Sequence, residues 1–372
     1  MKMIRNSLVF RGAADSPTAN SCFPSIAILH DGTLIATWRV GSRKDSDDGV
    51  ILSSRSHDEG ATWSAPSTIV ANGVRNGAFG EPHYAPLTVL PDGRILCAVM
   101  WVDRRERNKP LFNPSTEGIL PLSTLFLESR DGGSTWSEIG ELGDSPIAGP
   151  LAITGPILDL LDGRLACPFE VNKDYDDDGF WRHAAAWKTS ADGGRTWSEH
   201  REIANDPTGK LMYWDAHIVR ASNRICYAAF WTYDRERMHD LTIHLSSSRD
   251  LGDSWSRPHD LGVVGQVADP VPLPDGNFLL VYVDRFDTRS IRALLSRDGG
   301  ITFSSDPIII HQQLRETSDV GEFSGTTDYL QDMNLWTFGR VNSVTDDARS
   351  VWITYYAGDI QCTGIYCARI DF

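Results

Sequence analysis

Three acidic residues in this sequence stand near side chains that commonly move protons. Glu81 precedes His83 by two residues, Asp215 precedes His217 by two residues, and Asp269 lies in a similar apolar segment. Two carboxyl groups, one protonated and one ionised, suffice to cleave a glycosidic bond. A histidine beside a carboxylate can instead act as a general base, although a lone histidine is more often a satisfied core residue. These five residues are the predicted catalytic candidates.

A second set of residues has the chemistry that binds sugars. Aromatic rings stack on the apolar faces of a sugar, while guanidinium and carboxylate groups bond its hydroxyls and acidic substituents. An Asp-Arg pair also ends three apolar segments, and a rim salt bridge explains each pair equally well. These pairs are Asp103-Arg104, Asp234-Arg235 and Asp284-Arg285. The predicted substrate-binding residues are Arg39, Arg43, Asp48, Tyr84, Arg104, Glu170, Trp214, Tyr233, Arg285 and Arg340.

Composition and charge exclude several classes of protein. The chain has 372 residues, with 35 basic against 50 acidic side chains and a net charge of −15. Such an acidic chain does not track a phosphate backbone, so no nucleic-acid partner is expected. No apolar run is long enough to span a membrane, and the short apolar stretch between Arg5 and Arg11 is too brief for a signal peptide. We therefore expect a cytoplasmic protein.

The six cysteines are expected to be small packing residues in a reducing compartment rather than disulfide partners. Cys362 and Cys367 lie five residues apart, without a second Cys or His pair of zinc-site spacing nearby. The sequence therefore predicts neither a metal site nor a bound cofactor.

One octet, of the pattern Ser-x-Asp-x-Gly-x-Thr-Trp, recurs five times with small variations. Asp and Gly are turn-forming residues, and the aromatic ring at the end of the octet has to be buried between neighbouring units. Each octet is therefore typical of a hairpin tip that pins one structural repeat. The copies are Ser56–Trp63, Ser129–Trp136, Ser190–Trp197, Ser248–Trp255 and Ser296–Phe303.

Each octet is preceded by two apolar runs around a turn, as in Ser25–Trp38, and is flanked by two further strand-like segments. Four antiparallel strands per repeat predict the blade of a β-propeller. After the last octet, three more strands are expected, in residues 326–340, 351–358 and 364–370, and residues 7–12 can supply the fourth. The prediction is an all-β, six-bladed β-propeller of four-stranded antiparallel blades, closed by the N-terminal strand. Residues 1–372 would form a single domain.

Antiparallel connectivity sorts the loops of such a propeller onto two faces. If the strands of a blade are A to D, the A–B turns and the octets lie on one face. The starts of the A strands and the ends of the B strands lie on the other face, around the axis. The candidate residues belong to this second face, so we expect Glu81, Asp215 and Asp269 to point into one central pocket. Arg104, Arg285 and Arg340 are expected nearby.

The octet resembles the Asp-box, and the whole chain resembles the sialidase (BNR-repeat) superfamily of six-bladed propellers. That resemblance leaves the chemistry open, because Asp-boxes also occur in other hydrolases, in lyases and in non-catalytic proteins. Cys22 stands where sialidases have a substrate-clamping Arg, and Phe323 stands where they have a Tyr nucleophile. The first B–C loop matches the loop that supplies the acid/base Asp of the family, with Asp45, Asp47 and Asp48 as alternatives.

Together these features predict a sialidase-like, exo-acting glycoside hydrolase on a small acidic or deoxy-sugar glycoside, not an authentic sialidase. One alternative is a uronate lyase that uses His or Tyr as base and Arg to stabilise the enolate. A non-catalytic carbohydrate-binding propeller is the other alternative. In each case the expected ligand is a small carbohydrate, and the oligomeric state stays open.

Overall fold

The computed structural model describes residues 1–107, 109–144, 149–314, 326–346 and 349–372. Within these ranges, the strands form six antiparallel sheets arranged as the blades of a propeller. Strand β1 (Lys2–Arg11) belongs to the last blade. Blade 1 contains β2 (Asn20–Ile28), β3 (Leu34–Gly41), β4 (Val50–Ser56) and β5 (Ser67–Val70). Blade 2 contains β6 (Gly73–Arg75), β7 (Ala78–Tyr84), β8 (Leu87–Val89), β9 (Ile95–Asp103), β10 (Leu122–Ser129) and β11 (Ser137–Glu141). Blade 3 contains β12 (Leu151–Ile153), β13 (Leu158–Asp159), β14 (Leu165–Val171), β15 (Ala184–Ser190) and β16 (Arg201–Asn205).

The remaining three blades are built in the same way. Blade 4 contains β17 (Leu211–Arg220), β18 (Cys226–Asp234), β19 (His239–Asp240), β20 (Thr242–Ser248) and β21 (His259–Val264). Blade 5 contains β22 (Ala268–Pro272), β23 (Phe278–Asp284), β24 (Ser290–Ser296) and β25 (Ile308–Gln312). Blade 6 contains β26 (Phe338–Thr345), β27 (Ser350–Gly358) and β28 (Thr363–Asp371), with β1 outermost.

The hydrophobic core lies between the faces of neighbouring blades. Inner strands of adjacent blades contact one another around the axis, as β2 does with β26 and β17 with β22. Second strands such as β3 and β23 are buried along their whole length, because both faces of each blade are covered. Phe126 of blade 2 and Phe169 of blade 3, for example, belong to one buried cluster.

The N-terminal strand closes the ring, as the sequence predicts. β1 pairs antiparallel with β28, from Lys2 opposite Asp371 to Arg11 opposite Gly364. The strand is longer than the six residues expected, because pairing begins near the start of the chain. The Asn6 side chain donates to the Tyr355 hydroxyl at 2.6 Å, which also ties β1 to β27.

The five octets share one hydrogen-bond network at the β-hairpin tips. In the first copy, Ser56 Oγ and Thr62 Oγ1 donate to the two carboxylate oxygens of Asp58, at 2.8 and 2.7 Å. These bonds, led by that of Thr62, lower the pKa of Asp58 to about 2. The octet rings of blades 3 and 4 pack against the preceding blade: Trp197 stacks on Phe126, with ring centroids 4.6 Å apart, and Trp255 lies 5.3 Å from Trp187.

The strand expected over residues 326–340 is only partly correct. Thr326–Asp332 forms helix α1, Met333–Leu335 forms a 3₁₀ turn, and β26 begins at Phe338. Tyr329 and Leu330 of the helix are buried, so tertiary packing stabilises a helix too short to be stable alone. Across the described ranges, no helix has the length and hydropathy that a membrane crossing requires. All six cysteines are buried free thiols.

Candidate active site

Bulges in four inner strands turn side chains toward the axis at the face where these strands begin. Pairing is interrupted between Cys22 and Ser25, Pro82 and Tyr84, Trp214 and His217, and Gly339 and Asn342. The bulged residues include Phe23, His83, Asp215 and Arg340. Three of them have left-handed backbones, with φ of 52° at Phe23, 50° at Asp215 and 32° at Arg340. Such strained residues persist where the surrounding fold fixes them, often at functional sites.

These four side chains line one cavity of about 140 Å³. Its walls are mainly apolar and include the rings of Phe23, Phe112, Trp181, Trp214 and Trp231. The polar groups of the lining are Lys44, His83, Tyr84, Thr154, Glu170, Asp215, Asn334 and Arg340. Cavities of about 150 Å³ accommodate benzene, so the size of this one is on the scale of one six-membered ring.

Asp215, Arg340 and Glu170 form a charged cluster in the cavity wall. Arg340 Nη1 donates to Asp215 Oδ1 at 2.6 Å, and Arg340 Nη2 donates to the Thr154 carbonyl at 2.8 Å. The backbone N–H of Asp215 donates to Glu170 Oε2 at 3.1 Å. The Arg340 guanidinium also lies over the Tyr84 ring, 4.2 Å from its centroid. Asp215 is thereby held by the Arg340 guanidinium, and Glu170 is held by the backbone of Asp215.

His83 reaches the cavity with a buried ion network behind it. Its Nδ1 lies 2.8 Å from Glu81 Oε1, and Arg39 Nε donates to Glu81 Oε2 at 3.0 Å. Burial alone would raise the pKa of Glu81, but Arg39, His83 and Arg104 outweigh it and hold that pKa well below its usual range. Because an ionised Glu81 only accepts, Nδ1 carries the proton and His83 Nε2 is left as an acceptor.

The pKa of His83 itself is lowered. Burial is the largest cause, and it outweighs the opposing effect of the Glu81 carboxylate. The imidazole therefore stays neutral over a wider pH range than an exposed histidine, as a general base requires.

The same ion network shapes the first B–C loop. Arg39 Nη1 donates to the Arg43 carbonyl at 3.0 Å, and Nη2 donates to the Ser46 carbonyl at 2.7 Å. A Cβ at Gly49 would lie 2.1 Å from Glu81 Oε2, so a side chain there would displace the ion pair. The buried network thus fixes the loop that carries Lys44 to the cavity.

A family model described as the BNR repeat-like domain matches residues 32–346. The chain belongs to the BNR repeat-like family. No curated protein sequence matches it significantly.

Among solved structures, three resemble this BNR repeat-like protein over almost its whole length. A Dyadobacter fermentans protein of unknown function is 20% identical with a TM-score of 0.75, covering 100% of this chain and 99% of its own. The Penicillium chrysogenum α-L-arabinanase complexed with arabinobiose is 14% identical with a TM-score of 0.69, with coverages of 100% and 99%. A Hadza microbial sialidase is 20% identical with a TM-score of 0.71, with coverages of 99% and 68%. At these identities the likeness establishes the fold.

Six of the residues predicted from the sequence line the cavity of this BNR repeat-like protein, and two line a neighbouring cleft. The cavity residues are His83, Tyr84, Glu170, Trp214, Asp215 and Arg340. The cleft residues are Arg43 and Arg104. Asp45 and Asp47 also line this cleft, whereas Asp48 accepts hydrogen bonds from Ser42 and Ser46 within its own loop.

The other candidates lie behind the cavity wall, which corrects the expectation of three carboxyls pointing into one pocket. Glu81 and Arg39 are fully buried in their ion pair. Asp269 and His217 form a second buried pair, with Nδ1 and Oδ1 3.3 Å apart.

Tyr233 and Arg285 are also displaced from the cavity by aromatic rings. Tyr233 stacks behind Trp214, with ring centroids 5.0 Å apart. Arg285 packs over the ring of Trp336, 4.1 Å from its centroid, and donates to the Phe338 carbonyl at 2.7 Å.

Several lining residues were missed from the sequence because they come from loops, from α1 or from the 3₁₀ turn that follows it. They are Lys44, Leu111, Phe112, Ile119, Trp181, Leu330, Met333 and Asn334. Cys22 is buried beside Phe23 and does not line the cavity, while Phe323 lies outside the described residues. Among the described residues, no group of three His, Cys, Asp or Glu side chains is placed to hold a metal ion.

Proposed function

We propose that this protein is an exo-acting glycoside hydrolase that cleaves a single terminal sugar from an acidic or deoxy-sugar glycoside. The observation that carries the proposal is that two carboxylates, Asp215 and Glu170, line the same small cavity, where the backbone N–H of Asp215 donates to Glu170. Glycosidases use two carboxyl groups, one as acid and one as base or nucleophile. A cavity that admits one ring favours attack at a chain end.

The two carboxyls differ in their surroundings, which assigns them different roles. Asp215 is ion-paired to Arg340, which presents it to the sugar as an anion suited to base or nucleophile chemistry. Glu170 has no Arg or Lys ion-pair partner in the described part of the chain, and His183 Nε2 lies 3.5 Å from its Oε2. Glu170 is therefore the proposed proton donor to the leaving oxygen.

The aromatic walls supply the binding surface for the ring. Trp214 packs edge-on against Trp231, with centroids 5.1 Å apart, and Trp181 lies 6.3 Å from Trp214. Indole faces stack on the C–H faces of a sugar, and the N–H groups of Trp181 and Trp231 are held by the Val171 carbonyl and by Asp240, which fixes these two rings. Solved structures of this fold include an arabinanase complexed with arabinobiose, which is consistent with a sugar ligand.

We also propose that the protein is not an authentic sialidase. Phe23, rather than an Arg, projects from the first inner strand into the cavity, and the neighbouring Cys22 is fully buried. Arg340 is the only guanidinium among the described residues that line the cavity, and it is already paired with Asp215. A sialic acid carboxylate would therefore meet one occupied guanidinium instead of a cluster.

The test is a panel of nitrophenyl glycosides that includes arabinofuranosides, deoxy-sugars, uronides and a sialoside. Turnover of at least one non-sialoside, with little or none of the sialoside, is the expected result. Sialoside turnover that exceeds all others would contradict the proposed specificity. Sugar binding without turnover of any glycoside would favour a non-catalytic propeller.

One observation favours a second function, a uronate lyase. His83 is a buried neutral imidazole, oriented by Glu81, whose Nε2 is free to accept the proton beside a sugar carboxylate. Loss of that proton and departure of the neighbouring glycosidic oxygen leave a carbon–carbon double bond in the product, with Arg340 stabilising the enolate intermediate. Ultraviolet absorbance of the unsaturated product, measured on uronate oligosaccharides, distinguishes this function from hydrolysis.

A further inference from the structure

A second, larger cleft adjoins the cavity on the same face of the propeller. It has a volume of about 490 Å³ and shares Lys44 and Asn334 with the cavity. The first two B–C loops form much of its wall. A substrate whose terminal ring occupies the cavity would extend its remaining part into this cleft, because the cavity itself holds only one ring.

The cleft is basic in an otherwise acidic protein of net charge −15. Its cationic residues are Arg43, Lys44, Arg104, Arg107 and Lys109. Three of these are already in ion pairs: Arg104 with Asp45 and Glu81, Arg107 with Asp47, and Lys109 with Glu106. Arg43 and Lys44 have no ion-pair partner among the residues that the structure describes.

Lys44 is the unusual member of this group because it is only 8% exposed. Its Nζ donates to the Met333 carbonyl at 2.7 Å and to the Tyr356 hydroxyl at 3.0 Å. One of the three N–H donors of the ammonium is therefore unused. The rings of Phe23, Trp336 and Tyr356 surround it, with centroids 5.3 to 5.7 Å from Nζ. The rings and the charge of Asp332 compensate this ammonium only in part, since Asp332 forms no ion pair with it, and an anion at the junction would complete its environment.

We propose that this cleft binds an anionic group, a carboxylate or a sulfate ester, on the part of the substrate that lies outside the cavity. The spare Lys44 donor and the exposed Arg43 guanidinium would contact that group. This inference rests on the proposed function for the placement of the terminal sugar in the cavity. It goes beyond that function by locating the acidic recognition on the leaving-group side of the bond that is cleaved.

Calorimetric titration with D-glucuronate, galactose 6-sulfate and neutral galactose tests the cleft without requiring turnover. We expect at least one anionic sugar to bind more tightly than galactose, and its binding to weaken with added salt. The variant Lys44→Met, which keeps the apolar stem, should weaken that binding about tenfold or more. Arg43→Gln should weaken it a few-fold, because Arg43 lines only the cleft and is exposed.

The control is Lys210→Met, which removes one positive charge from an exposed lysine paired with Glu236, outside both cavities. It should bind as the wild type does. Equal binding of charged and neutral sugars, no binding of either anion, or full binding by Arg43→Gln would overturn the proposal. If Lys44→Met fails to fold, the binding measured with Arg43→Gln still tests the cleft proposal. Glycoside turnover without anion binding would contradict the cleft proposal and support the hydrolase. Anion binding without turnover would support the cleft and contradict the hydrolase.

Discussion

Asp215 and Glu170 are the residues on which the proposed chemistry depends most directly. Asp215→Asn and Glu170→Gln keep the size of each side chain and remove its charge or its transferable proton. Each should lower kcat on the best glycoside of the panel by about 10²–10⁴-fold. Glu170→Gln should leave the melting temperature nearly unchanged, whereas Asp215→Asn should lower it, because it removes the charge that balances Arg340. Asp162→Asn, which alters an exposed carboxylate paired with Arg164 in an A–B turn on the opposite face, is the control. Near-normal turnover in both active-site variants would make His83 the leading catalytic candidate and favour the lyase.

The His83–Glu81 pair predicts how stability depends on pH. The folded pKa of His83 lies below its ordinary value of 6.5, so the unfolded chain binds the proton first as the pH falls. The contribution of His83 to the free energy of unfolding is therefore complete above pH 6.5. It is lost as the pH falls through the lowered pKa of His83 in the folded protein. The pKa of Glu81 is also lowered, and its contribution is lost in the same direction, below its ordinary value of 4.5.

Urea unfolding at about pH 7 and about pH 5 measures this dependence. The wild type should lose stability over that interval, and His83→Asn, which can still donate to Glu81, should lose less. An identical pH dependence in the two proteins would show that His83 does not carry the effect.

Residue types were predicted from the sequence better than residue orientations. Asp215, Glu170, His83 and Arg340 were found because strand polarity places them at one end of the blades. Glu81 was expected in the same pocket, yet its carboxylate is held behind the cavity wall by Arg39, Arg104 and His83. Pro24 and Pro82 are visible signals of broken pairing, because proline cannot donate to the ladder.

Among the elements, the octets stabilise the fold and take no part in the proposed chemistry. Asp131 accepts bonds from Ser129 Oγ at 2.8 Å, the Thr135 amide at 2.9 Å and Thr135 Oγ1 at 2.6 Å. Asp131→Ala leaves these donors to water and loosens the tip of blade 2, so the melting temperature should fall by a few degrees. Sugar binding should be unchanged, because antiparallel connectivity puts the octets on the other face. A variant that melts normally but no longer binds sugar would contradict this assignment of the two faces.

Helix α1 is the element that sequence reasoning missed. Residues 326–336 lack the Gly turn and the octet that mark the other repeats, and their aromatic content was consistent with a strand. Tertiary packing decides the outcome: Tyr329 stacks on Tyr233 with centroids 5.0 Å apart and donates to Asp240 at 2.6 Å. These partners are distant in sequence, so no local pattern indicates them. The lining residues Leu330, Met333 and Asn334 were missed for the same reason.

At the scale of the whole molecule, the repeat made the fold predictable. The five octets, each with a pair of apolar runs before it, indicate five blades. The remaining strands at the two ends of the chain form the sixth. The number of blades follows from local patterns because each blade is one antiparallel unit. The cavity is less predictable, since side chains from several blades and α1 converge there and the loops set their final positions.

Ring closure leads to a prediction about the whole chain, which we propose to behave as one domain over residues 1–372. β1 supplies the outermost strand of blade 6, and Asn6 Nδ2 also donates to the Ile310 carbonyl of blade 5 at 3.1 Å. Deleting residues 1–12 would therefore uncover the β28 edge and part of the seam between two blades. The truncated protein should unfold at lower temperature and self-associate, as measured by thermal melts and light scattering.

Asn6→Ala is the control for this deletion, because it removes the side-chain bonds of Asn6 but keeps the strand and its ladder. It should stay monomeric and lose only a little stability, and the wild type should unfold in one cooperative transition. A truncated protein that remains monomeric with an unchanged melting temperature would contradict closure by β1. Two separate transitions in the wild type would contradict the single domain. Since an exposed edge recruits other strands through its backbone, self-association specific to the truncated protein would identify the lost ladder, rather than a lost side chain, as the cause.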